Sequence, residues 1–329
     1  MNKLYPLKFK PIFRDKIWGG QKIRTALGMD FGNLPNCGEV WVVSGYEGFV
    51  SEVENGVFAG NELNEMVEVF MGDLVGDEVY HEFGDEFPLL IKFIDAADWL
   101  SIQVHPDDQL AGKLKIGSGK TEMWYIVDAE PGAELISGFN RELNKESYTD
   151  LLVKGEIKSI MNYEKVEKDD IFFIPAGRVH ALGPGILLTE IQQTSDNTFR
   201  IYDFDRIDAA GMSRELHTEQ ALHAMDFTFH KDVKTPYKEE INKTTPVIDG
   251  KNFITNLLSF NEPLRKNYEE LDSFVIYISL EGKTKLEWDE GKLEMVPGDA
   301  VVKPAILRNI VLFPDVASKL LEVYIKPKT

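Results

Sequence analysis

Apolar runs of strand length punctuate the chain from end to end. Pro88–Ala96 is apolar except for Lys92 and Asp95 and reads as a buried strand. Gly38–Gly45 reads as another, with a glycine at each end. In Ser101-Ile102-Gln103-Val104-His105 the pattern alternates, so Ile102 and Val104 face a core while Gln103 and His105 share the opposite face. Pro106, Asp107 and Asp108 then stop the strand. Lys113–Lys120 reads as a polar, glycine-containing loop leading into a strand at Thr121–Asp128 and a turn at Glu130-Pro131-Gly132. Strands resume over 165–174, and Pro175–Gly183 reads as a tight turn that delivers His180 onto the next strand. Residues 186–204 read as strand, turn, strand. Helical spacing occurs in three places. Leu63, Met66, Val67 and Phe70 follow Gly60 or Asn61 as cap; Asn140–Ile157 puts Tyr148, Leu151 and Leu152 on one face; Ser213–Met225 is a short helical return.

The last 85 residues repeat an earlier rhythm. Glu122–Val127 aligns with Asp272–Tyr277, and Asp170–Ala176 with Asp299–Ala305. Strand, glycine turn, strand, then Asp–apolar–Pro is the rhythm of a small β-barrel of the cupin jelly-roll type. The expected fold is mainly β, with two such barrels and a few peripheral helices. Residues 1–235 form the expected catalytic domain, with inserted helices. Residues 236–329 form a degenerate second barrel, and a Lys-, Glu-, Thr- and Pro-rich linker lies around 231–246. The last histidine is His230, so the second barrel can hold no histidine-based metal site.

With 55 acidic residues against 36 Lys and Arg, the net charge of -19 argues against nucleic acid or an anionic membrane as partner. A protein so acidic must build the positive patch for any anionic substrate locally. The one cysteine, Cys37, allows no internal disulfide and suits a reducing compartment. The first residues hold no apolar run of signal length and no stretch is long enough to span a bilayer, so a soluble cytoplasmic protein is expected.

Two of the six histidines, His105 and His180, sit on barrel-type strands beside turns; His217 and His223 fall on a helical stretch and His81 at a helix end. Gln103, His105, Glu122 and His180 together offer an amide oxygen, a carboxylate and two imidazoles. That set suits one borderline ion such as zinc with a position left for water or substrate. In a second cluster, alternation pairs Glu190 with Gln192 on one strand, and Arg200, Tyr202 and Phe204 on the next. An arginine aimed into a barrel needs an anion, which is either a substrate or the wall residues Asp203 or Asp205.

Ser101–Asp108, Gly119–Tyr125, Pro175–Gly183 and Asp196–Asp203 resemble the four signature blocks of type I mannose-6-phosphate isomerases. Ile17-Trp18-Gly19-Gly20 and Gly38-Glu39-Val40-Trp41 fit as well, so the resemblance spans nearly the whole chain, in the short bacterial form. It implies a zinc-dependent aldose–ketose isomerase that interconverts D-mannose 6-phosphate and D-fructose 6-phosphate through a cis-enediol. The family's zinc ligands fall on Gln103, His105, Glu122 and His180, and its active-site arginine on Arg200. Ser101 and Lys120 match positions near the substrate phosphate, and Lys92 is a further candidate there. Glu190, Asp196 and a zinc-bound water are the candidates for the base, with Glu190, Lys120 and Arg200 as the expected catalytic set. The rival readings on this scaffold are a cupin oxygenase and a non-catalytic sugar-binding protein.

Overall fold

The computed structural model describes residues 3–207 and 211–326. The apolar run at 88–96 becomes the strand Leu89–Ala96, buried along its whole length. It pairs with Glu39–Val43 on one side and Ile186–Gln193 on the other. Ile12–Arg14, Glu122–Ala129 and Ile171–Ile174 complete a six-stranded antiparallel sheet. Facing it is a five-stranded sheet in the order Phe199–Tyr202, Ile102–Val104, His180–Leu182, Glu134–Phe139 and Met161–Lys165.

Side chains alternate between the faces of each strand, and the two faces go to different cores. Inside, Ile94, Trp124, Ile126, Phe172 and Leu188 of the large sheet meet Leu135 and Leu182 of the small one. Outside, Ile91, Phe93, Met123, Tyr125 and Leu187 pack with Ile276, Ile278, Val302, Leu321 and Val323 of a third sheet. That sheet contains Val275–Glu281, Ser318–Tyr324 and Ile254–Phe260, and it closes a second apolar interior against a four-stranded sheet. Both faces of Leu89–Ala96 are thus covered, which explains its continuous apolar run. The chain start joins the second half: Leu7–Lys8 pairs with Ala300–Lys303.

The repeat is present, with a different register from the alignment read in the sequence. Glu122 stands opposite Ile174, and Val275 opposite Lys303. Since Ile174 and Lys303 correspond, Val275 takes the Glu122 position, three residues beyond Asp272. Asp272 instead accepts hydrogen bonds from the backbone of Asp77 and Glu78, capping a helix of the first half. Short strands with similar apolar patterns carry no residue that marks register, and pairing decides it.

The helices are shorter than their patterns. Leu63–Phe70 starts from a Glu62/Glu65 capping box rather than from Gly60 or Asn61. The 140–157 pattern is a helix over Lys145–Val153 followed by a 3-10 turn at Ile157–Ile160, and the third pattern is helical over Thr218–Ala224. Asp108–Leu114 is a helix, running from the expected strand stop at Asp108 into the first residues of the expected 113–120 loop. The Asp107 carboxylate accepts from Leu110 N at 2.7 Å, and this aspartate cap was a readable signal.

Candidate active site

One row of the five-stranded sheet gathers much of the site. Arg200 lies opposite Gln103, Gln103 opposite His180, and His180 opposite Ser137. Residues directly opposed across antiparallel strands project to the same face, so these side chains line up on the barrel's inner wall. Ile102, Val104, Val179, Ala181 and Phe199 hold the outer face in a separate core with Tyr148, Ala221 and Met225 of the covering helices. His105 follows Gln103 by two positions, just past the strand end, where its carbonyl accepts from Gly177 N at 2.9 Å. Glu122 reaches in from the facing sheet.

His105 Nε2 lies 3.5 Å from Glu122 Oε2, and His180 Nε2 lies 3.4 Å from Glu122 Oε1. All three residues are buried, and they form a cluster that could hold a metal ion. Each histidine points its Nδ1 at a backbone carbonyl, Asn197 O at 2.7 Å for His105 and Arg178 O at 2.8 Å for His180. A carbonyl only accepts, so Nδ1 carries the hydrogen and the Nε2 lone pair faces inward, as in a ligating histidine. Burial, and then the charge of Lys120, pushes both imidazoles down, His105 well below its ordinary value and His180 to about 4. Both are therefore neutral near pH 7. Among the described residues Glu122 has one cationic neighbour, Lys120 Nζ at 3.0 Å from Oε2, while Oε1 is left facing His180. A buried oxygen in that state suits a metal ion.

The Gln103 amide nitrogen is 3.3 Å from His180 Nε2, and its oxygen accepts from Ser101 Oγ at 3.4 Å. A half-turn of the amide swaps the positions of its oxygen and nitrogen and exchanges these roles: the oxygen then joins the cluster, and Ser101 Oγ accepts from the nitrogen.

Lysines surround this cluster, each beside a carboxylate. Lys120 Nζ stands 3.0 Å from Glu122 Oε2 and 3.1 Å from His105 Nε2, so it belongs to the metal end of the cavity. Lys92 Nζ is 3.5 Å from Glu190 Oε1, and Trp124 Nε1 donates to Glu190 Oε2 at 2.9 Å. Burial, reinforced by the charge of Glu122, raises the Glu190 carboxyl above the ordinary range. Lys16 Nζ is 3.2 Å from Glu39, whose other oxygen accepts from Trp41 Nε1 at 2.8 Å. Burial alone would raise Glu39, but the charges of Lys92 and Lys16 outweigh it and hold the carboxyl at about 2.

Gln103, His180, Lys120, Lys92, Glu190 and Glu39 line a cavity of about 290 Å³. Arg200 is on its wall, half-buried, with Nη1 donating to Glu215 O at 2.7 Å and Nε left without a partner. Neither wall aspartate pairs with it. Asp203 is held by Arg214 through two hydrogen bonds, and Asp205 accepts from Tyr202 OH at 2.6 Å. Asp196 also lines the cavity but is exposed, whereas Glu190 is buried.

Lys16, Trp18, Glu39 and Arg214 line the cavity without having been named as site residues in the sequence, although Trp18 and Glu39 fall in segments that fit the family. Trp18 arrives there because its neighbours are glycines. A Cβ on Gly19 would lie 2.5 Å from Gly38 N, and one on Gly38 would lie 2.8 Å from the Trp18 ring. Glu39 carried a signal: a carboxylate two residues from Trp41 on a strand that is otherwise apolar. His217, expected to be exposed on a helix, instead precedes the helix. Its Nδ1 accepts from Arg200 N at 3.1 Å, and its own N donates to Arg200 O at 2.7 Å.

In the second barrel, Glu322 faces Tyr277 as Glu190 faces Trp124. There the interior is closed: Glu322 accepts from Tyr268 OH and Asn256 Nδ2 and pairs with Lys266 Nζ at 2.9 Å. Val275 replaces the glutamate of the first cluster.

Paired antiparallel sheets around buried imidazoles and a carboxylate, opening on a charged cavity, define a cupin with a candidate metal centre in one of its two barrels. Residues 6–136 match the family described as phosphomannose isomerase type I, catalytic domain. The mannose-6-phosphate isomerase ManA of Bacillus subtilis is 36% identical, over 91% of this chain and 93% of its own. A mannose-6-phosphate isomerase of Streptococcus mutans is 39% identical over 67% of each chain. The crystal structure of the mannose 6-phosphate isomerase from B. subtilis superposes with a TM-score of 0.86 at 32% identity, covering 97% of this chain and 99% of that one. A structure from Archaeoglobus fulgidus, 19% identical with a TM-score of 0.77 over 98% of this chain and 97% of its own, shares the fold. The chain belongs to the type I phosphomannose isomerase family and is an enzyme of that family.

Proposed function

We propose that this enzyme interconverts D-mannose 6-phosphate and D-fructose 6-phosphate, with one zinc ion held by Gln103, His105, Glu122 and His180. The supporting observation is the buried donor cluster itself, opening on a cavity lined by Lys120, Glu190 and Arg200 in a chain of this family. Four donors about 2.0–2.2 Å from a tetrahedral zinc stand about 3.3–3.5 Å apart. The Gln103 amide lies 3.3 Å from His180 Nε2, Glu122 Oε1 lies 3.4 Å from His180 and Glu122 Oε2 lies 3.5 Å from His105, and the His105, Glu122 and His180 donors all fall within 4.8 Å of one another. The donor set, two imidazoles with a carboxylate and an amide oxygen, suits zinc in the same way.

When bound, zinc supplies Lewis acidity toward the sugar oxygens at C1 and C2. The proton transfer belongs to the chain. Glu190 takes the proton from C2 of the open-chain aldose and returns it at C1 of the cis-enediol, while the hydroxyl proton passes from O2 to O1. Its buried carboxyl, raised in pKa and oriented by Trp124 Nε1, is suited to both giving and taking a proton. Lys120 stabilises the negative charge that develops on the enediol oxygens, and Arg200, further along the inner row, supplies positive charge for the anionic end of the substrate. Ser101 and Lys92 complete the substrate-binding wall, Ser101 beside Gln103 and Lys92 beside Glu190.

We assign this chemistry to residues 1–235 and a non-catalytic role to 236–329. The free, buried Cys37 suits a reducing cytoplasm, and among the described residues no helix is long and apolar enough to cross a membrane. The test is a coupled assay for fructose 6-phosphate formed from mannose 6-phosphate, run before chelation, after it, and after zinc return. Turnover is expected to vanish and then recover. A zinc-loaded protein with no turnover refutes the reading.

A further inference from the structure

The cations of the cavity are not equivalent. Lys120, Lys92 and Lys16 each lie within 3.5 Å of a buried carboxylate, so the metal end and floor are close to neutral as built. The remaining positive groups gather at the other end. Among the described residues Arg200 has no carboxylate partner, and its buried Nε has no hydrogen-bond partner. Arg214 lines the same cavity, with its guanidinium fixed by two hydrogen bonds to the buried Asp203, one of them 2.7 Å from Nε. The two guanidinium groups feel one another: burial, and then the charge of Arg214, depresses Arg200. Their positions are set together. The segment that carries Arg214 also supplies Glu215 O to the Arg200 side chain and His217 to both backbone groups of Arg200. Asp203 already balances Arg214, so the uncompensated charge of this wall is that of Arg200, and an anion bound between the two arginines would balance it.

Building on the proposed reaction, we infer that Arg214 is a specificity residue that binds the phosphate of the sugar phosphate together with Arg200, at the end of the cavity away from the metal cluster. Asp203 acts as its positioning residue, orienting the planar fork toward the cavity. The distances agree. Arg200 is two strands from His180 along the inner row, about 9–10 Å at ordinary strand spacing. This is comparable with an extended hexose phosphate measured from C1 to phosphorus. With the phosphate there, C1 and C2 fall beside Lys120 and Glu190.

The experiment compares wild type, Arg214→Gln and Arg214→Lys for kcat and KM on mannose 6-phosphate, and for binding of inorganic phosphate by calorimetry. Loss of a charge-assisted contact should raise both KM and the phosphate dissociation constant about 10- to 100-fold in Arg214→Gln. The kcat should fall by no more than about threefold, since this contact is made equally in ground and transition states. Arg214→Lys should recover part of both constants. If Arg214→Gln alone folds poorly because Asp203 is left unpaired, the double variant Asp203→Asn/Arg214→Gln removes both charges, and the same constants decide. A folded variant that binds phosphate and substrate as wild type does overturns the inference, as does phosphate binding that depends on the metal but not on Arg214. Calorimetry needs no turnover. Wild type that binds phosphate through Arg214 yet does not isomerise mannose 6-phosphate would sink the reaction and keep this site; the reverse pattern would sink the site alone.

Discussion

Gln103 and His180 face each other across two antiparallel strands, and their side-chain ends meet at 3.3 Å. They are far apart in the chain, and one backbone register brings the amide and the imidazole to the same point on the inner wall. Arg200 and Ser137 extend the row on either side. A shift of one residue in any of these strands would turn its member of the row outward.

The metal cluster predicts a stoichiometry. His105→Ala and Glu122→Ala should each lose most of the bound metal, and wild type should carry about one ion per chain. Because Val275 occupies the Glu122 position of the second barrel, the His105→Ala/His180→Ala double variant should hold none. Elemental analysis checks this; unchanged zinc in both single variants would remove the assignment.

Arg200→Ala should lose roughly 10²- to 10³-fold in kcat/KM, mostly through KM, because a contact to the phosphate is made in both ground and transition states. Its stability should change little, since Asp203 and Asp205 have other partners and Arg200 makes one side-chain bond among the described residues, to Glu215 O. Lysine at this position should recover only part, lacking the planar fork. Thermal melts run beside kinetics decide the point. A collapse in melting temperature with near-normal kcat/KM would show a structural arginine instead.

Glu190 sets a pH dependence. As the base it must be ionised, so kcat/KM should fall as pH drops through its pKa. Burial and the Glu122 charge lift that pKa above the ordinary carboxylate range. The acid limb should accordingly lie higher than for an exposed glutamate. Glu190→Gln should remove about 10²- to 10⁴-fold of the rate while keeping the metal. A variant with full activity and the same acid limb would transfer the role to another group.

Lys303 offers a test in the second barrel. It is buried, donating to Leu307 O at 2.8 Å with its ammonium 4.5 Å above the Tyr268 ring. Burial, then the charge of Arg308, pushes it down from 10.5 to about 7. Between those values the unfolded chain binds a proton that the folded chain does not, so stability should rise with pH across that window. The slope approaches about 1.4 kcal/mol per pH unit at most. Lys303→Met lacks this contribution, and its stability relative to wild type should therefore fall steadily from pH 7 to pH 9.5 in denaturant melts. Parallel pH profiles for the two proteins would refute the buried, depressed amine.

The local pattern of the chain determined its strands, their inward and outward faces, the existence of a repeat, and the donor types at 103, 105, 122 and 180. Each depends on residues close in sequence: alternation fixes faces, and glycine or proline fixes ends. The tertiary structure alone decided which residues stand opposite one another. Asp272 and Val275 are equally plausible counterparts of Glu122 until strand pairing selects Val275. Arg200 had two aspartates within five residues, but Arg214 and Tyr202 bind them and leave Arg200 to the cavity. Lys16, Glu39 and Arg214 look like ordinary surface or strand residues in the sequence, and they enter the site because distant segments fold over it. Which carboxylate neutralises which cation depends on separations of a few ångströms, and long-range packing sets these.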